Sequence, residues 1–204
     1  MTLPMHERLI AFEGLDQSGK QTQAERLAAA CRDAGLRAEL VSFPDYHSPI
    51  GIEIGKALQG EREFPADVMQ LLYIANRYEH RPRIERLLAE GAVVICDRYL
   101  ASSIAYGDAQ GLDAAWLRET QRHLPQPALT ILLDIAPDVS LGRKRTARDR
   151  YERDLALLDR VRGSYLRQAE GERWLKLDGS QPRDAVTALV QAAVRTRVGL
   201  PSTP

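Results

Sequence analysis

The sequence predicts an α/β fold: a five-stranded parallel sheet wrapped by helices, of the P-loop nucleotide-binding type, with a short Arg-rich lid. Three observations carry this reading. Short apolar runs alternate with helical patterns along the 204 residues, the order that builds a parallel sheet. One such run, Leu9-Ile10-Ala11-Phe12, leads into Gly14-Leu15-Asp16-Gln17-Ser18-Gly19-Lys20 and then a long helical pattern, which is the strand–turn–helix context of a phosphate loop. Another, Ala92–Cys96, ends in Asp97-Arg98, placing a carboxylate and a guanidinium at a strand's C-terminal end, where open α/β sheets carry their sites.

Taken in order, residues 1–7 are a lead-in, and Leu9–Phe12 is a first strand of the fully buried kind. The first helix shows Ala24, Leu27, Ala28 and Cys31 on one side and stops at Gly35. Ala38–Phe43 is the second strand. Pro44-Asp45-Tyr46-His47-Ser48-Pro49 follows as a loop at its C-terminal end, then Ile50–Leu58 as a short helix. Pro65–Ala89 is a long helical pattern in which Pro82 marks a kink or break, with Met69, Tyr73, Asn76, Arg77 and His80 on one side by i,i+3/i+4 spacing. After the third strand, Leu100–Tyr106 opens a helix and Ala114–His123 forms another, and Pro125 and Pro127 mark a turn. Leu129–Asp134 is the fourth strand, Val139–Arg145 and Leu155–Ala169 are helices, Trp174–Leu177 is the fifth strand, and Arg183–Arg197 closes the chain. No linker, repeat or low-complexity block interrupts residues 1–204, so a single domain is expected, with 199–204 as a disordered tail.

Lys+Arg and Asp+Glu are both 28, which argues against a nucleic-acid partner and against an acidic tail. Arg outnumbers Lys by 24 to 4; its planar fork suits phosphate. Cys31 and Cys96 read as buried free thiols, and His6, His47, His80 and His123 show no ligand spacing. No apolar stretch reaches membrane-spanning length and no signal peptide precedes Arg8. The expectation is a cytoplasmic protein with no membrane partner.

The chemistry starts at Gly14–Lys20. Two glycines let the backbone curl so that N–H groups face inward, and the following helix adds partial positive charge. Lys20 then reaches a β- or γ-phosphate. By composition a chance Gly-x4-Gly-Lys is expected in roughly 2 per cent of such chains. The strict motif continues with Ser or Thr, which ligates Mg²⁺; here Gln21 stands in that place, so Thr22, water or an acidic residue must substitute. Asp97 at such a strand end can hold Mg²⁺ through water, and Arg98 can grip an acceptor phosphate with its fork; the alternative is an ordinary surface ion pair between the two. Arg143 to Arg153 holds five Arg and one Lys. It reads either as a solvated basic face or as a lid of about 143–153 that brings Arg to a transferring phosphoryl group.

Together these pieces resemble the thymidylate kinase family. The resemblance spans about Leu9 to Val194. It rests on Phe12-Glu13-Gly14-Leu15-Asp16, Phe43-Pro44 before Ser48-Pro49-Ile50-Gly51, Asn76-Arg77, Asp97-Arg98-Tyr99 with Ser102 and Ala105-Tyr106-Gly107, Leu133-Asp134, and Asp149-Arg150-Tyr151-Glu152. It implies synthesis of dTDP from dTMP and ATP with Mg²⁺, in a homodimer. It further implies that Gly14, Leu15, Asp16, Gln17, Ser18, Gly19, Lys20, Gln21 and Thr22 surround the ATP phosphates and that Arg143 lies against adenine. Asp16 would face the dTMP sugar and, with Asp97, the metal region. Phe43, Tyr46 and Arg98 would meet dTMP, the last two at its phosphate. Tyr73 would stack on thymine, Arg77 would donate to O4, Ser103 would lie at N3, and Tyr106 would exclude a 2′-hydroxyl. Arg148 and Arg150 would be the lid arginines, with Tyr151 and Glu152 closing over the acceptor. Gln17 stands where some members carry a P-loop Arg, and Gly107–Gly111 lacks the Gln and Arg of many bacterial members.

The alternatives are another deoxynucleotide or deoxynucleoside kinase of this fold, and a P-loop nucleotide-binding switch. The latter reads guanine with Asn-Lys-x-Asp, and the chain's one Asn, Asn76, precedes Arg77.

Overall fold

The computed structural model describes residues 8–143 and 154–198. The lead-in 1–7, most of the expected lid and the tail lie outside them. The described elements run β1 (Leu9–Glu13), α1 (Lys20–Asp33), β2 (Ala38–Ser42), α2 (Pro49–Gln59), α3 (Ala66–Ala89), β3 (Val93–Asp97), α4 (Leu100–Ala109), α5 (Ala114–Glu119), β4 (Leu129–Asp134), α6 (Pro137–Arg143), α7 (Leu155–Gln168), β5 (Trp174–Asp178) and α8 (Arg183–Val198).

All strand pairs are parallel, in the order β2-β3-β1-β4-β5. The three central strands, β3, β1 and β4, are apolar and buried almost throughout because both faces of the sheet are covered there, while the edge strands β2 and β5 are only partly buried. Side chains alternate across it. Ile10, Phe12, Ile95 and Ile131 pack toward Ala24, Leu27 and Ala28 of α1 and Val190 of α8. Leu9, Ala11, Val94 and Cys96 pack toward Ile84, Leu87 and Leu88 of α3. A third cluster joins Leu132 to Ala101 and Ala105 of α4 and Leu158 and Val161 of α7. Both cysteines are buried free thiols, as expected. Among the described residues no helix is long and apolar enough to cross a membrane.

Three expectations shift. Pro82 does not break its helix: α3 runs from Ala66 to Ala89 with Pro82 inside. An interior proline costs about 3 kcal/mol, and each buried Leu or Ile contributes about 1.5–3 kcal/mol. Ile84, Leu87 and Leu88, all downstream of Pro82 and buried, hold the last turns in place. The helix after Leu112 ends at Glu119 rather than His123, where i→i+3 turns take over (Gln121 N to Arg118 O, Leu124 N to Gln121 O). The third strand extends through Asp97, which pairs with Phe12 and Ser42. That last residue of pairing fixes Asp97 and orients the Arg98 turn.

Candidate active site

The loop after β1 has the backbone its glycines announced. Gly14 has φ 139° and Gly19 φ 97°. A Cβ at Gly14 would lie 2.5 Å from the Leu133 carbonyl oxygen of β4, so the loop can turn there only without a side chain. Gln17 also takes a left-handed conformation, φ 59°. No side chain caps the first turn of α1, which leaves its N–H groups directed at the cleft. Lys20 is buried, and its Nζ donates to the Leu15 carbonyl of its own loop at 2.7 Å. Burial, reinforced by the nearby Arg98 charge, lowers the Lys20 pKa to about 8, against the pull of Asp16, Asp97 and Glu13.

The cleft over this loop has a volume of about 480 Å³, lined by Asp16 to Gln23, Asp97, Arg98, Arg143 and Gly179 among others. Arg143 spans its outer side, donating to Gln17 O at 2.9 Å and Gly179 O at 3.3 Å. Gln21 directs its amide to Glu25 at 2.9 Å. Asp97 keeps Oδ1 buried with no hydrogen-bond partner, an acceptor left open at the cleft. Among the described residues there is no cluster of three or more His, Cys, Asp or Glu side chains of metal-binding form. A hard cation here would draw its remaining ligands from phosphate oxygens and water.

Arg98 sits at the seam of two cavities. Its backbone is left-handed, φ 62°, and its N–H donates to Phe12 O at 2.9 Å, so the turn after β3 tucks back over β1. Its guanidinium donates to Asp16 Oδ1 at 2.8 Å and to Ser102 Oγ and the Tyr165 hydroxyl, each at 3.2 Å. It also lies 5.6 Å from the Tyr106 ring centroid. Burial works against its charge, but Asp16, Tyr106 and Tyr165 outweigh it and hold the pKa well above the usual arginine value.

Beneath Arg98 lies Glu13, wholly buried at the end of β1. It accepts from Tyr99 N at 2.8 Å, Ser102 N at 3.3 Å, Ser102 Oγ at 2.6 Å and the Tyr165 hydroxyl at 3.2 Å. A side chain from the sheet thus satisfies the open first turn of α4. Glu13, Ser102 and Tyr165 were not expected as site residues, although a carboxylate ending an apolar strand just before a glycine is a sequence signal worth reading.

The second cavity is lined by Asp16, Phe43, Pro44, Tyr46, Leu58, Gln70, Tyr73, Arg77, Arg98, Ser102, Ser103 and Tyr106. Of the expected acceptor residues among the described chain, all meet here. Arg77 is buried and donates to Ser103 Oγ at 2.6 Å, with its guanidinium 5.9 Å from the Phe43 ring centroid. Burial pushes its pKa down. Tyr46 stands at the rim, 48 % exposed. Its loop is pinned to α3 by Asn76 and by Glu79, the second of which sequence reading did not single out. Asn76 Oδ1 accepts from Asp45 N at 2.9 Å, and Asn76 Nδ2 donates to Ser48 Oγ at 2.7 Å. Glu79 accepts from Ser48 Oγ at 2.8 Å, Asn76 Nδ2 at 2.9 Å and Ile50 N at 3.2 Å. Burial would raise the Glu79 pKa, but these donors outweigh it and lower it. The four expected lid residues, Arg148, Arg150, Tyr151 and Glu152, lie outside the described residues.

Known proteins are similar to this chain. A family model described as thymidylate kinase matches residues 12–190. Thymidylate kinase of Thermomicrobium roseum is 38% identical, over 91% of this chain and 93% of its own length. That of Schizosaccharomyces pombe is 35% identical over 88% and 87%, and that of Homo sapiens 31% identical over 95% and 94%. The solved structure of thymidylate kinase from Candida albicans superposes with a TM-score of 0.82 at 30% identity, covering 93% of this chain and 91% of that one.

Proposed function

The chain belongs to the thymidylate kinase family, and from that premise we propose how its residues carry the reaction. It phosphorylates dTMP to dTDP with ATP. The observation that carries the assignment of roles is that Asp16, Phe43 and Arg98 line both cavities. A donor phosphate over the Gly14–Lys20 loop and an acceptor phosphate in the second cavity would meet at Arg98.

Transfer is in line. The acceptor oxygen needs no general base, because a phosphate monoester's second pKa is about 6. The protein's task is positioning and charge neutralisation. Lys20 leaves the Leu15 carbonyl for the β- and γ-phosphates. Arg98 keeps its hydrogen bond to Asp16 and turns its remaining N–H groups to the acceptor phosphate. Tyr73 stacks on thymine, Arg77 donates to O4 while Ser103 orients it, and Tyr106 crowds the 2′ position. Cytosine presents an amino group where Arg77 expects an acceptor. Tyr46 reaches the acceptor phosphate from the rim, and Arg148, Arg150, Tyr151 and Glu152 close over it. Mg²⁺, when bound, would neutralise charge on the transferring phosphates; the unpartnered Asp97 Oδ1 fits a water-mediated ligand to it, with Asp16 lining the same cleft, and Thr22, next to Gln21 in sequence, lines it too. Arg143 supports adenine from the outer side of the cleft. We further propose that residues 1–204 form one domain, that the protein works as a homodimer, and that it is cytoplasmic.

The test is ADP release from ATP and Mg²⁺ with dTMP, dUMP, dCMP, dGMP, AMP and thymidine offered separately. Strong turnover with dTMP and little with dCMP or thymidine is expected. Preference for another acceptor would discard the base pocket and keep the phosphoryl-transfer roles.

A further inference from the structure

Gln70 is a side chain that the assigned roles leave over. It lies on α3 at i−3 from Tyr73 and i−7 from Arg77, hence on the same face, and it lines the acceptor cavity. It is 1 % exposed, and neither Oε1 nor Nε2 has a hydrogen-bond partner. A buried amide with both ends open is rare in a native protein, and leaving such a group unmet is costly. An apolar side chain of similar size would fill the space without that cost.

Space for it has been made across the cavity. Gly107 of α4 follows Tyr106, and a Cβ there would come within 3.3 Å of Gln70 Cγ and 2.4 Å of Leu117 Cδ1. The bare backbone at Gly107 leaves room for the Gln70 side chain, which shares the cavity wall with Tyr73 and Tyr106.

The open groups are one acceptor and one donor side by side. The Watson–Crick edge of thymine is an imide, with an N3–H donor flanked by two carbonyl acceptors. The two sets are complementary. Ser103, expected at N3, already accepts from Arg77, whereas Gln70 Oε1 in the same cavity has no partner at all.

We propose that Gln70 is a specificity-determining residue that reads the imide edge of the acceptor's base, Oε1 accepting from N3–H and Nε2 donating to a flanking carbonyl. The proposal rests on the second cavity being the dTMP site. The exclusion of cytosine stays with Arg77, since the Gln70 amide can turn over and donate to a bare ring nitrogen.

The test compares dTMP with N3-methyl-dTMP in the wild type, in Gln70→Leu, and in Tyr73→Ala as the control for the cavity. The wild type should use N3-methyl-dTMP poorly. Gln70→Leu should lose about tenfold to a hundredfold in kcat/KM for dTMP, mainly through KM. It should change little toward the methylated acceptor, and the KM for ATP should hold. The free variant should melt no lower than the wild type, since an open amide has been removed. Equal use of both acceptors by the wild type overturns the proposal whether or not the variant folds. So does an equal loss on both acceptors, or a dTMP KM unmoved in Gln70→Leu while Tyr73→Ala raises it. If neither substitution moves that KM, the cavity assignment itself has failed.

Discussion

On the acceptor side the cations are held before any substrate arrives: Arg77 by Ser103 at 2.6 Å, and Arg98 by Asp16 at 2.8 Å with Ser102 and Tyr165 behind it. On the donor side Lys20 is folded back on the Leu15 carbonyl of its own loop, and burial has weakened its hold on a proton. One half is a set of fixed donors braced by a buried carboxyl group; the other is a charge held at a cost until phosphates relieve it. On the roles proposed above, acceptor recognition depends on packing that is already complete, whereas donor recognition depends on replacing an internal contact.

The sharpest way to break that comparison is to remove each cation. Lys20→Met should lower kcat by about a thousandfold or more without lowering stability at neutral pH, because the native site disfavours the ammonium. Arg98→Met should lower kcat by about 10²–10³-fold and also destabilise the fold by about 1–3 kcal/mol, since Asp16, Ser102 and Tyr165 lose a shared partner. Urea midpoints alongside initial rates check both; equal stability loss in the two variants would erase the distinction drawn here.

Glu13→Gln comes next. It places an N–H₂ group against the donors of Tyr99, Ser102 and Tyr165, and about 2–3 kcal/mol of stability should be lost. The kcat/KM for dTMP should fall with it while ATP binding is kept. Glu79→Gln is milder, about 1 kcal/mol. It should raise the KM for dTMP several-fold, because the 45–50 loop loses its anchor on α3, and leave the KM for ATP unchanged.

The smallest expected effect sharpens the donor side. A lysine lowered to about 8 in the folded protein binds fewer protons than the unfolded chain between there and its ordinary value near 10.5. Its penalty on stability is thus full below pH 8 and relieved as pH rises through that window. Binding of phosphates needs the charged form, so kcat/KM for ATP should decline above pH about 8. Proton uptake on ATP binding, read by calorimetry in buffers of different ionisation enthalpy, should grow as pH rises through about 8 and be largest above it.

Much of this was legible beforehand, and the reason is local. The Gly14–Lys20 loop, the five strands and the helix after each are written in contiguous patterns, and the residues at strand ends inherit their place from the sheet. Asp97 and Arg98 needed only the end of β3. Pro82 misled because a single residue's preference was weighed without the three buried residues that follow it. Glu13 and Tyr165 act through partners 63 to 152 positions away, Glu79 through Ser48 and Ile50 at 31 and 29 positions as well as its near neighbour Asn76, and Gln70 through the lack of a partner. No spacing rule encodes a contact of that range. A polar residue in an apolar neighbourhood was the available hint, and it tells where a partner is needed without naming it.

The strand order β2-β3-β1-β4-β5 has one more consequence. β1 is central, with β3 leading outward to the acceptor residues on one flank and β4 and β5 leading to Arg143 and Gly179 on the other. On the proposed roles the two recognition tasks hang on opposite halves of the sheet, and among the described residues the two cavities share Asp16, Phe43 and Arg98. A lineage, or a laboratory library, could therefore rewrite α3 and α4 to change which nucleotide is accepted while leaving untouched the half that grips the triphosphate. The fold is evolvable one flank at a time, with those three residues as the hinge of compatibility between the flanks.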